Sequence, residues 1–414
     1  MRLLKKNGYI CRCDCYMMKK IPTILISLLF SLSLIAQPQI KLSGFIQTMY
    51  QYGEQDALLK VGAPNENPEK SYSRIGIRRG RIRLVAEEGL ASGVFMIDIT
   101  EKGLNLKDAY LNIKDPWLNT LQFRVGVTLP PFGHEISLLP LRRESPERST
   151  VNQTLFPEER DLGAMVILQA PKTSPWNILK LEAGLFAGNG VRLELYSPKN
   201  FIGRLSATKI LENKTTFGIG TSYYNGKVYQ GSNNVYTMKD KSFVLNSDAS
   251  NKGKFAKQEF IGLEAQFSMP NTGVGLSQIR AEYLFGQQPG TAGSSRSYTN
   301  ATSLPAADTY IRNFRGGYAI FIQDLGNSAF SAVLKYDWYN PNTKISGNEI
   351  GLNGTSRTDV AFRIFGSGIL WKISNALRVQ AYYEIVRNET TTNIAKMEKD
   401  LRDNVFTFWV QYVF

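Results

Sequence analysis

From Lys41 onward the chain alternates apolar and polar side chains with a period of two, in short segments separated by turn-rich stretches. The last segment shows the pattern most plainly: Phe406, Phe408, Val410, Tyr412 and Phe414 share one face of a strand, and Thr407, Trp409 and Gln411 share the other. An apolar stripe of this kind must be buried somewhere, and for a terminal strand lipid satisfies it. Sixteen strands are predicted, at 41–52, 74–87, 93–100, 106–113, 121–128, 161–169, 180–187, 201–209, 215–224, 257–267, 276–284, 314–321, 328–339, 358–370, 377–385 and 404–414. Most are close to the ~9 to 11 residues that cross a bilayer when tilted.

Long and short connections alternate along this series, which places the long ones at one end. Outer-membrane barrels have this asymmetry, with tight periplasmic turns and long outer loops, and an even strand number leaves both termini in the periplasm. The expected fold is all-β: a transmembrane antiparallel β-barrel of about sixteen strands, in a single domain over residues 37–414. Trp117, Trp176 and Trp371 fall in the short turns, where interfacial aromatics are favoured. The stretch 286–313, rich in Gly, Ser and Thr, is expected to need no structure of its own.

Composition narrows the classes further. With 43% hydrophobic residues, 11% aromatic and 35 glycines among 414 residues, the chain is neither disordered nor collagenous. No apolar run reaches the ~18 to 20 residues of a spanning helix. Lys19 and Lys20 precede an apolar stretch that ends at Ala36, the anatomy of a secretory signal. Residues 1–36 are therefore expected to be a leader, with 1–17 an extension from an upstream start and 18–36 the signal peptide. Cys11, Cys13 and Cys15 all lie upstream of it and lack the spacing and partners of a zinc site, so no metal or cofactor is expected. The net charge of +14 becomes +9 without the leader. In an exported chain that basic balance points to anionic solutes or lipid, and not to nucleic acid.

The candidate chemistry is a set of arginines. Arg79, Arg81 and Arg83 share one strand face, while Gly80, Ile82, Leu84 and Ala86 share the other. Side chains two residues apart stand roughly 6.5 to 7 Å apart, so the guanidiniums form a ladder, and a planar fork suits phosphate or carboxylate oxygens. Lipid does not tolerate such residues at mid-depth, so the ladder is placed in the lumen. Arg124, Arg204, Arg280, Lys335, Arg363 and Arg378 are assigned to the same inward face of other strands, together with Asp98, Asp108, Glu182, Glu264, Glu282, Asp337 and Glu384. The alternative is that these arginines pair with acids on neighbouring strands and simply fill the barrel. The gap 130–160 carries Arg142, Arg143, Arg148 and Arg160 among Glu135, Glu144, Glu147, Glu158 and Glu159. It is expected to fold inward as a constriction loop, the alternative being a solvated outer loop. His134 is the sole histidine and reads as a turn residue; no nucleophile lies in a recognisable context with it, so no enzymatic activity is expected.

The segments SRIGIRRGRIRLVAEE, LKDAYLNI, FRVGVTLPPFGHE and EERDLGAMV resemble, in order and spacing, the front half of the phosphate-selective porin O and P family. The resemblance spans roughly residues 73–166. It implies a sixteen-stranded, usually trimeric diffusion channel of the bacterial outer membrane with a basic eyelet. Arg79, Arg81 and Arg83 match the family's ladder, and Arg142, Arg143 and Arg148 its loop arginines. The expected function is passive diffusion of small anions, with phosphate the leading solute. The expected surroundings are outer-membrane lipid, homotrimer partners and a barrel-assembly machinery that reads Phe414. The acidic content of the loop departs from the family pattern and leaves a general non-selective porin as one alternative. A structural or adhesive barrel that binds partners through its outer loops is another.

Overall fold

The computed structural model describes residues 38–299 and 301–414; the leader and its three cysteines lie outside the described residues. The alternating segments pair each with the next. In chain order they are β1 (Gln39–Gly53), β2 (Tyr72–Glu88), β3 (Ala91–Thr100), β4 (Gly103–Lys114), β5 (Leu121–Thr128), β6 (Asp161–Gln169), β7 (Leu179–Phe186), β8 (Asn200–Ile210) and β9 (Thr216–Tyr229). They continue with β10 (Asn234–Lys239), β11 (Ser242–Ser247), β12 (Phe255–Asn271), β13 (Gly275–Gly290), β14 (Thr309–Asp324), β15 (Phe330–Asn340), β16 (Phe362–Lys372), β17 (Leu377–Asn388) and β18 (Val405–Val413). β12 pairs directly with β9, and β18 closes onto β1 from Phe45 opposite Val413 to Gly53 opposite Val405. The result is a closed, antiparallel sixteen-stranded barrel with no free edge.

Closure satisfies every wall strand's backbone and leaves one face of each strand to the surroundings. That outer face is apolar: Ile75, Phe95, Leu111, Phe123, Leu185, Phe201, Ile219, Leu263 and Phe365 are all exposed. Trp117 and Trp176 stand outside at the short-turn end. Such a continuous band is stable against hydrocarbon, not water.

β10 and β11 are not part of the wall. They form a hairpin in the outer connection between β9 and β12, and β10 runs parallel to the start of β14, with Tyr236 opposite Tyr310. The sequence reading treats this stretch as loop, because two six-residue strands carry too little alternation to stand out. Met238 and Phe243 of the hairpin pack with Ile345, Ile350, Val360 and Met397 of neighbouring outer connections. Beneath them Arg312 and Asp359 form a fully buried ion pair at 2.8 Å. This side of the outer mouth therefore has a core of its own.

Two other expectations are corrected. The stretch 286–313 is largely strand at its ends, since β13 continues to Gly290 and β14 begins at Thr309. The fourteenth wall strand begins at Phe362 instead of residue 358, because Ser356 and Asp359 cap a single tight turn at Arg357–Asp359.

Candidate functional site

The segment after β5 does fold inward. It contains two short helices, α1 (His134–Ser137) and α2 (Thr150–Leu155), and it is fixed to the far wall by apolar packing and by hydrogen bonds. Phe132, Ile136, Val151, Leu155 and Phe156 join a cluster with Met165, Phe186, Ile202, Tyr224, Phe260, Leu284 and Phe314, which project into the lumen. Asp337 of β15 accepts the Thr150 backbone N–H at 2.8 Å, and Lys335 of the same strand pairs with Glu135 at 3.0 Å. Glu135 also accepts from Ser149 N–H and Oγ–H and from the Asn152 amide. Burial works against its charge, but Lys335, Arg143 and these donors hold its carboxyl down to about 2. Arg280 pairs with Glu144, and the Arg378 guanidinium donates to the Leu141 carbonyl.

Between this loop and β2 lies the charged eyelet. Alternation along β2 is broken by one residue: Ile75 and Ile77 are exposed outside, and below them so are Ile82 and Leu84. Odd positions face lipid in the upper part and even positions in the lower, as a β-bulge produces. Gly80 sits at the break, where a Cβ would stand 2.3 Å from the Ile99 carbonyl oxygen. In consequence Arg78 and Arg79, chain neighbours, both turn inward.

Two loop carboxylates occupy the forks presented by the wall. Glu147 accepts from Arg78 Nε at 2.6 Å and Nη2 at 3.0 Å, and from Arg79 Nη2 at 2.9 Å. Glu159 is bracketed by Arg81 at 3.4 Å, Arg148 at 3.3 Å and Arg160 at 2.6 Å. Arg81 also meets Asp98 at 3.2 Å, and Arg160 meets Asp108 at 3.0 Å. Burial opposes the charge on both glutamates, yet the surrounding guanidiniums hold Glu147 and Glu159 well below the usual carboxylate range. The sequence reading left open whether the ladder pairs with acids on adjacent strands. For Arg79 the partner comes from the inward loop, and for Arg81 from both sources.

A cavity of about 270 Å³ opens beside these pairs, lined by Lys60, Arg78, Arg79, Arg81, Lys107, Arg148 and Arg296 against Asp98, Glu147 and Glu159. Cations exceed anions in its wall by seven to three. A second space of about 290 Å³, lined by Gln122, Arg124, Gln169, Lys180 and Glu182 together with Leu129 and Pro130 of the loop, opens toward the short-turn end. The wall strands that line the two spaces are β2 to β7, with Lys60 and Arg296 reaching the first from outer connections, while the apolar cluster extends from Met165 and Ile167 of β6 round to Tyr339 of β15.

The other arginines singled out in the sequence distribute as follows. Arg83 points inward opposite the buried Met96, without an ion pair among the described residues. Arg124 lies over the Tyr110 ring at 4.5 Å. Arg204 is held by Glu264 at 2.5 Å and Glu182 at 3.4 Å. Arg143 is buried with Nε and Nη1 unpartnered, and Arg142 is exposed. Arg363 is a correction: it lies directly opposite Trp338 and Arg387 on the outer face and is not in the lumen. It is the second residue of its strand, beside the outer connection, where a cation reaches water above the lipid. Sequence reasoning missed Arg78, whose signal was the parity change between Ile77 and Ile82. It also missed Lys107, which bulges where Asp108 faces Met96 and Leu106 faces Ile97. Lys60 and Arg296 come from outer connections, which carry no periodic signal.

No family model matches the chain, and no curated protein sequence matches it. Solved structures do. OmpF of Salmonella typhi superposes with a TM-score of 0.56 at 10% identity, over 91% of this chain and 98% of that one. An anion-selective porin from Comamonas acidovorans gives 0.52 at 11% identity, over 91% and 100%. OmpT of Vibrio cholerae, an outer membrane protein in a trimer form, gives 0.51 at 10% identity, over 91% and 100%. At these identities the likeness is one of fold: the chain has the sixteen-stranded barrel architecture of bacterial outer-membrane porins.

Proposed function

We propose that the chain is a water-filled channel of the bacterial outer membrane through which small anions diffuse passively, with phosphate the leading solute. The observation that carries this reading is the cavity beside the eyelet, whose wall holds seven cationic side chains against three acidic ones. Guanidinium forks recognise planar and tetrahedral oxyanions through paired N–H donors. That Glu147 and Glu159 each sit among two or three guanidiniums supports oxyanion recognition in this geometry. Passage requires that no single contact hold the solute too tightly, and a row of equivalent cations lets it exchange one partner for the next. At ~30 Å³ per water, a space of this size suits small hydrated solutes.

A general porin is the second reading, favoured by the same two glutamates, which neutralise much of the ladder. Around the barrel the reading places outer-membrane lipid; homotrimer assembly is supported by the trimer form of the Vibrio cholerae protein. Recognition of Phe414 by the barrel-assembly machinery belongs to the same proposal. The test is chloride current through the reconstituted channel while phosphate is added. A falling current at constant ionic strength is expected. A current indifferent to phosphate rejects phosphate as the preferred solute and leaves the general porin.

A further inference from the structure

The outer face is not uniform around the barrel. Near the outer ends of β1 to β8 the outward residues are apolar, among them Ile75, Ile77, Ile99, Leu104, Leu185 and Phe201. On β9 to β17 the corresponding level is cationic. Lys227 and Lys257 lie directly opposite each other across β9 and β12, and Arg363 and Arg387 do so across β16 and β17. All four are exposed. Like charges in directly opposed positions are destabilising. Only partial relief is present: Lys257 pairs with Glu259 at 2.8 Å and Arg387 with Asp400 at 3.1 Å, while Lys227 and Arg363 have no side-chain partner among the described residues.

Between the two pairs Arg315 projects outward opposite Phe285 and Asn340, also without a partner among the described residues. It borders a groove of about 710 Å³ that Lys257, Gln287 and Asn313 line with polar atoms and Tyr283 and Phe285 with rings; the one carboxylate in the lining, Glu259, is engaged by Lys257 and by the Tyr223 hydroxyl. Tyr283 stacks on Trp338, so aromatic side chains lie just below the cations. Aromatic rings mark the membrane interface. The cations above them stand at head-group level.

We propose that the outer rim of β9 to β17 binds the phosphate groups of phosphorylated lipid head groups in the outer leaflet, with Arg315 at the centre and the opposed pairs on either side. A phosphate between two facing cations removes the repulsion that the strand register imposes, and the groove gives the first acyl carbons an aromatic bed. The apolar rim of β1 to β8 offers no such site. The inference concerns the outside of the barrel and stands whether or not the lumen prefers anions.

The full chain in detergent is incubated with bisphosphorylated lipid A or with the same lipid stripped of phosphate, and retained lipid is measured after gel filtration. Retention of the phosphorylated form is expected. It should weaken about fivefold in R315Q and about a hundredfold in a K227Q/R315Q/R363Q variant, at the strength of a basic side chain near an anionic surface. Excess inorganic phosphate should not displace the lipid. Equal retention of both lipids, unchanged retention in the variants, or displacement by free phosphate overturns the proposal. So does a change in subunit number with lipid retention intact, which would make the rim a contact between copies. Should the triple variant fail to fold, R363Q alone decides: without lipid it should unfold at a higher temperature than the parent, because an opposed like charge is gone, and a lower temperature contradicts the inference.

Discussion

Arg78 and Arg79 are adjacent in the chain and close on one carboxylate, Glu147, at 2.6 Å and 2.9 Å. Regular alternation would send them to opposite faces of the wall, one of them into lipid. The break in β2 brings both inward, and the inward loop supplies the counter-charge.

Glu147→Gln should therefore raise anion preference, because two guanidiniums lose their tethered anion. The same change leaves buried cations unpaired, at a cost of roughly 3 to 5 kcal/mol. Reversal potentials read the first effect and unfolding in denaturant the second. A variant with an unaltered permeability ratio would show that Glu147 serves only to hold the loop.

The ladder variants should not behave alike. Arg83→Gln removes a cation that has no ion pair and should lower anion preference modestly. Joint replacement of Arg79, Arg81 and Arg83 by Ala also leaves Asp98 without its ion-pair partner and Glu147 with Arg78 alone, and should lower anion preference much further without abolishing it, since Lys60, Arg78, Lys107, Arg148 and Arg296 remain. Equal effects of the single and triple variants would contradict the pairing described above.

Phe132 is fully buried against Phe156 and Phe260, with ring centroids 5.0 Å and 6.4 Å away. Phe132→Ala should cost about 3 to 5 kcal/mol, as large-to-small changes in packed cores do. It should also loosen the loop, seen as noisier single-channel currents. Quiet currents of parental size would place the loop's anchorage in its polar contacts alone.

His134 sets a pH dependence. Its Nδ1 accepts from the Gln266 amide at 2.8 Å and Nε2 is buried without a partner. Burial, then Arg280 and Arg204, lower its pKa from 6.5 to about 4. The unfolded chain thus binds this proton first, so stability should fall as pH drops from 6.5 toward 4. Glu135 adds a second loss between 4.5 and about 2, where its folded-state charge is retained longer than its unfolded one. His134→Gln should flatten the upper part of the curve, measured by thermal unfolding across pH. An unchanged slope would assign that loss to other groups.

The wall was legible in the sequence because alternation is imposed on every spanning strand by lipid outside and water inside. Each predicted strand has its counterpart, and the last closes onto the first through Phe406 to Val413. Where that constraint lapses, legibility lapses as well. The β10–β11 hairpin lies outside the wall, and Lys60 and Arg296 approach the eyelet from connections with no period. Arg363 illustrates the limit of parity: near a strand end a cation on the outer face reaches the interface, so the rule against charge in lipid no longer decides its side. The loop's inward course was expected, but its pairing of Glu147 and Glu159 with particular arginines depends on tertiary packing of Phe132, Val151 and Phe156 that no local pattern encodes.

The central claim is an open, anion-favouring path through the barrel. Reversal potential across a planar bilayer holding the reconstituted chain, under a salt gradient, tests it most directly. Stepwise conductance with a reversal potential displaced toward the anion equilibrium value is the predicted result; absence of conductance, or displacement toward the cation value, would contradict it.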